Sequence, residues 1–77
     1  MRIIKEVPLP DMKVTIYNWN NKYLFKLEQG LLEQTYKIPE TEITSEQELD
    51  VLLGEAFLNK ARKRFRDMMS DLQEALF

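Results

Sequence analysis

Residues 13–29, KVTIYNWNNKYLFKLEQ, alternate apolar and polar side chains on both sides of Asn20-Asn21. A period of two is the signature of a strand with one buried face, and paired asparagines suit a two-residue hairpin turn because Asn tolerates positive φ. Folding on that turn sets Trp19 against Lys22, Tyr17 against Leu24, Thr15 against Lys26 and Lys13 against Glu28 on one face. The other face pairs Asn18 with Tyr23, Ile16 with Phe25 and Val14 with Leu27. One face is thus apolar and the other mixed, so the register is self-consistent; a slip of one residue would exchange the two faces.

The chain continues GLLEQTYKIP, which predicts a third strand. A turn at Gln29-Gly30 sets Lys26 against Glu33 and Leu27 against Leu32; a turn centred on Gly30-Leu31 is the alternative. Tyr36 and Ile38 join the apolar face, and Gln34 intrudes on it. Upstream, IIKEV, residues 3–7, is a candidate edge strand ended by PLPD, because each proline lacks an N–H and restrains its neighbour.

After the strands, Thr44-x-x-Gln47 and Ser45-x-x-Glu48 both fit a capping box, which predicts a helix beginning there. Leu49, Leu53, Phe57, Ala61, Phe65, Met68, Met69, Leu72 and Leu76 then recur at three- and four-residue steps, one helical stripe. Gly54 interrupts it, so either the helix kinks there or a short first helix ends near Leu53. The expected fold is α+β in two layers: a three- to four-stranded antiparallel meander over residues 1–39, with a long C-terminal helical segment over 44–77 packed on one face. Its core is expected from Val14, Ile16, Phe25, Leu27, Tyr36 and Ile38 against Leu53, Phe57, Ala61 and Phe65.

Seventy-seven residues make one domain, 1–77, with a thin core; a chain this size buries only about 60–65% of its unfolded surface. The chain has no cysteine or histidine, so disulfides, thiolate metal sites and the commonest zinc ligand and general base are all absent. Self-association is the remaining source of extra stability. Apolar residues at 44% and charged ones at 31% are ordinary for a globular domain. No apolar run reaches the length of a membrane span, and the N-terminal segment lacks the continuous apolar stretch of a signal peptide, so a cytoplasmic protein is expected. The net charge of −2 divides into +2 over residues 1–37 and −4 over 38–77.

The segment KARKRFRD, residues 60–67, holds five basic residues in eight. On a helix with Ala61, Phe65 and Met68 inward, Lys60 and Arg64 share a flank and Arg62 and Arg66 the outer side. Lys63 and Arg64 each lie within reach of Asp67. This is the pattern of a solvated face rather than a nucleic-acid contact. The carboxylate pairs Glu46/Asp50 and Asp67/Asp71 also read as surface charge, Ser45 and Ser70 have no histidine to activate them, and no glycine-rich phosphate loop is present. The helix carries as much acid as base beside Phe65, Met69 and Phe77, unlike a membrane-binding helix. No enzyme activity and no cofactor are expected.

Two surfaces remain as candidates. The outer sheet face should display Lys13, Tyr17, Trp19, Lys22, Lys26 and Lys37, aromatic rings among cations as on single-strand binding surfaces. The helix end should expose Met68, Met69, Leu72, Ala75, Leu76 and Phe77, an apolar patch fitted to a homodimer interface. With residues 3–7 as a strand, the order β-β-β-β-α is similar to the unit of Whirly-type and Pur-type single-strand-binding folds, which pair through their helices; no motif residue carries over. The expected function is a homodimeric interaction or structural domain with a protein partner that no motif names. The alternative is a single-stranded nucleic-acid-binding module.

Overall fold

In the computed structural model, which describes residues 1–77, four strands precede the helical segment. They are β1 (Arg2–Pro8), β2 (Lys13–Trp19), β3 (Lys22–Gln29) and β4 (Leu32–Pro39). A 3-10 turn (Glu40–Glu42), a longer 3-10 segment (Glu46–Leu53) and helix α1 (Glu55–Leu76) follow. The sheet runs β1-β2-β3-β4 with every neighbour antiparallel, an open meander in an α+β chain.

The central hairpin has the expected register at each of its seven pairs, from Lys13 opposite Glu28 to Trp19 opposite Lys22. Asn20 and Asn21 take φ of 52° and 63°, the two positive values of a type I′ turn, whose twist matches that of the flanking strands. The next turn corrects the Gln29-Gly30 reading: its centre is Gly30-Leu31, and Glu28 rather than Lys26 faces Glu33. Gly30 supplies the required positive φ of 59°, which leucine at that place would resist. Leucine at position 31 points fully into solvent, so the turn residue and not the apolar pattern sets this register. Strand β1 pairs with β2 and carries a bulge between Ile3 and Lys5. The bulge leaves Ile4 unopposed and packs it against the core while its neighbours stay exposed.

The helical segment is divided at Gly54 into two pieces. The first ends at Leu53, as the second of the two expected arrangements has it, but it is 3-10 and not α. Over Glu46–Leu53 the chain is 3-10, in which side chains three apart align; Leu49 is buried and Leu52 packs beside the core, while Val51 faces water. The predicted capping boxes do not form: Ser45 makes no side-chain cap bond. Instead Glu48 Oε1 accepts from both the hydroxyl and the N–H of Thr44, four residues back. Gly54, extended at φ −74° and ψ 157°, closes the 3-10 segment and opens α1. Its N–H donates to Val51 O at 3.2 Å and its carbonyl accepts from Leu58 N–H at 3.0 Å. A Cβ here would lie 3.3 Å from Val51 O, so the tight approach favours glycine.

The core lies between α1 and one sheet face. Val14, Ile16, Phe25 and Leu27 are buried there with Met12, Leu49, Leu58, Ala61 and Phe65. Leu58 lies outside the expected stripe, but it stands three residues before Ala61 and seven before Phe65 on the same helix and so shares their buried face. Tyr36, Ile38 and Leu53 pack at the margin. Phe57 stands edge-on to Phe25 and Tyr36, with ring centroids 5.7 and 5.6 Å apart, an arrangement worth about 0.5–1.5 kcal/mol per pair beyond area burial. Gln34 donates from Nε2 to Ala61 O at 2.9 Å, which accounts for a polar residue on the apolar face.

Candidate interaction surfaces

The register assembles all six residues of the predicted outer face on one side of the sheet: Lys13, Tyr17 and Trp19 on β2, Lys22 and Lys26 on β3, and Lys37 on β4. Helix α1 occupies the opposite face. The N-terminal segment lies beside β2 as an edge strand, and Trp19 remains 45% exposed. Met1, Tyr17, Leu24, Lys26, Glu33 and Thr35 line a shallow dip of about 230 Å³ on this face.

Electrostatically the face divides in two. At one end Lys13 pairs with Glu6 at 3.5 Å, and Lys26 lies 3.9 Å from Glu28 and 3.4 Å from Glu33. The fields of Glu28 and Glu33 hold the Lys26 ammonium above its ordinary pKa, so it is a cation already matched by acid. At the other end Lys22 and Lys37 have no acidic partner within ion-pair distance, and Trp19 and Leu24 lie directly opposite them in the ladder. The usable cationic patch is therefore Lys22 and Lys37 beside Trp19 and Tyr17, smaller than the sequence suggested.

Helix α1 supplies the second surface. Its buried residues, Leu58, Ala61 and Phe65, all lie in its first half. Met68 still packs at the core margin. Beyond it Met69 is 38%, Leu72 41%, Leu76 66% and Phe77 95% exposed, and Ala75 is exposed as well. The eleven residues after Phe65, ending at Leu76, carry the helix about 16 Å past its last buried side chain, with Met69, Leu72 and Leu76 in one stripe.

The basic run has a different use from the one its spacing suggests. Arg62 does not face outward: its Nε donates to Asp11 Oδ2 at 2.7 Å, and its Nη1 to Asn59 Oδ1 at 2.6 Å and Glu55 Oε2 at 3.3 Å. It clamps the proline-rich β1–β2 loop to α1. The hydrogen bond from Arg62 lowers the Asp11 carboxyl below its ordinary range, and Asp11 in turn raises the Arg62 guanidinium. Arg64 lies over the Phe57 ring at 5.9 Å. Neither Lys63 nor Arg64 forms the expected pair with Asp67. The carboxylates Glu46 and Asp50 are taken by Arg2 and Lys5, each at 3.1 Å, tying the 3-10 segment to β1. No spacing rule finds these pairs, since their members stand 44 to 51 residues apart.

No helix is long and apolar enough to cross a membrane. No protein-family model matches the chain, and neither the curated proteins nor the solved structures contain a match to it. The likeness to Whirly-type and Pur-type folds therefore rests on element order alone.

Proposed function

We propose that this chain is a non-catalytic, cytoplasmic interaction domain that self-associates as a homodimer through the second half of α1. The observation that carries this reading is the apolar stripe of Met69, Leu72 and Leu76, continued by Phe77, on a helix that outruns its own core. Contiguous apolar surface of this kind marks interaction sites. A second copy presenting the same stripe would bury it, and closed two-fold pairing is the commonest oligomer. Methionines suit such a seam because their side chains fill irregular gaps. Sedimentation equilibrium at tens of micromolar should give a dimer, and Leu72→Asp with Leu76→Asp should give a folded monomer. A monomeric parent, or a dimer indifferent to both substitutions, removes the reading.

A second reading has its own observation: Trp19 and Tyr17 stand with the unpaired Lys22 and Lys37 on an uncovered sheet face. Aromatic rings for bases and cations for phosphates favour single-stranded nucleic acid as a ligand. Trp19 is the chain's one tryptophan, so oligo-dT should quench its fluorescence at low salt and lose the effect at high salt. With two phosphate-binding lysines the logarithmic salt slope should be shallow, about −1.4. A flat titration leaves self-association alone.

A further inference from the structure

The two edges of the sheet are not alike. Strand β1 carries a bulge after Ile3 and ends in Pro8, and its face is tied to the 3-10 segment through Lys5 and Arg2. Bulges and prolines are the usual protection of an edge against a further strand. Strand β4 is eight residues of regular ladder with no bulge, and its only proline, Pro39, stands at its end.

The hydrogen-bonding phase of β4 follows from one bond. Glu40 N–H donates to Asn21 O at 3.1 Å, and these two residues continue the Lys22–Pro39 register. Hydrogen-bonded and non-bonded pairs alternate in an antiparallel ladder. The bonded pairs to β3 are therefore those of Leu32, Gln34, Tyr36 and Ile38, and the main-chain groups of Glu33, Thr35 and Lys37 point to the open side.

That open edge is complementary to itself. Laid antiparallel on a second copy about Thr35, β4 sets Glu33 opposite Lys37 and Lys37 opposite Glu33 on the outer face. On the core face it sets Leu32 opposite Ile38 and Gln34 opposite Tyr36. The outward main-chain groups of Glu33, Thr35 and Lys37 meet their counterparts in bonded pairs, so register, charge and hydrogen-bond phase all agree on one axis. Shifting the axis by one residue either way sets Glu33 against Thr35 or Pro39 and loses the charge match. Lys37, which has no acidic neighbour within its own chain, gains one.

We propose that two copies of this chain pair edge to edge through β4, about a two-fold axis at Thr35, into one continuous sheet. This deepens the self-association reading by adding a second contact, independent of the helix end and weaker than it: the chain carrying Leu72→Asp and Leu76→Asp sediments as a monomer at tens of micromolar, and a disulfide traps the short-lived β4 pair.

The test is a cross-link, because the chain has no cysteine of its own. In the full-length chain carrying Leu72→Asp and Leu76→Asp, Thr35→Cys places two thiols across the axis with Cα atoms about 5.5 Å apart, within disulfide reach. Mild oxidation with oxidised glutathione at tens of micromolar should give a disulfide-linked dimer. Ala56→Cys, exposed on α1, should not. Adding Glu33→Lys or Lys37→Glu should weaken association by about tenfold, since each turns two opposite-charge pairs into like-charge ones. Adding both should restore the cross-link. Residues 33 and 37 are both diagonal neighbours of Lys26 in the ladder, so the double variant also restores an internal partner for Lys26; the rescue is therefore scored on cross-link yield relative to Ala56→Cys and not on melting temperature. Circular dichroism melts confirm that each variant is folded. A cross-link yield for Thr35→Cys no higher than that for Ala56→Cys overturns the pairing, and leaves the helix-end reading standing if Leu72→Asp with Leu76→Asp still dissociates the parent. A swap without rescue also overturns it, and assigns the edge to an added peptide strand or to charge protection against pairing.

Discussion

Gln34 Nε2 and the carbonyl oxygen of Ala61 meet at 2.9 Å, joining the edge strand β4 to the second turn of α1 through a buried hydrogen bond. The amide's other end, Oε1, is buried without a partner. Ala61 O lies inside a helix and keeps its helical bond when Gln34 is replaced. Gln34→Met, similar in length, removes donor and orphan together and should change unfolding free energy by less than about 1.5 kcal/mol. Gln34→Glu sets a carboxylate against that carbonyl and should destabilise increasingly as pH rises through the carboxyl range. Urea titrations at two pH values separate the variants; equal midpoints would show that the amide is not the tie.

Phe25 is wholly buried and Phe57 bridges it to Tyr36. Phe25→Ala should cost about 3–5 kcal/mol, most of what a domain this small possesses. Phe57→Ala, at a half-buried site, should fall at the lower end of that range. Parent-like thermal melting of either variant would misplace the core.

The Asp11–Arg62 bond makes stability depend on pH. Because the folded carboxyl titrates below its ordinary value of 3.8, its contribution is fully present above that value and is lost as pH falls through the lower folded one. Asp11→Asn removes this dependence. The gap in melting temperature between parent and variant should be constant near neutrality and close in acid below about pH 4. A gap independent of pH down to about 2 would mean that the bond is not formed by the ionised carboxyl.

Asn20 and Asn21 both hold positive φ. Asn21→Gly should be neutral or stabilising by up to about 1 kcal/mol, since Asn-Gly is the favoured type I′ sequence. Asn21→Val, β-branched in a left-handed conformation, should destabilise by about 1–2 kcal/mol. The comparison is made by thermal unfolding, and equal melting points for the two would contradict the turn type.

The hairpin from Lys13 to Gln29 is fully legible in the sequence because its alternation and its turn residues agree with each other. The second turn is harder: the apolar Leu31-Leu32 pair suggests burial, whereas Gly30 needs the first turn position and puts Leu31 in water. The 3-10 segment reads as α-helix because Leu49, Leu52 and Leu53 satisfy both periods over so short a span. The outer-face residues follow from parity alone, but their pairing does not, since Glu6 and Glu33 reach Lys13 and Lys26 only once adjoining strands are in place. Spacing sets Arg62 outward because helical periodicity says nothing about a loop 51 residues away.

In the meander every strand lies beside the one synthesised just before it. The sheet can thus close by short loops as the chain leaves the ribosome, without waiting for distant segments. Its cover comes later: Leu58, Ala61 and Phe65 are all made after β4 is complete. At about 5–20 residues per second, the stretch from Glu40 to Phe65 takes about one to five seconds to synthesise, so Val14, Ile16, Phe25 and Leu27 exist before the side chains that cover them.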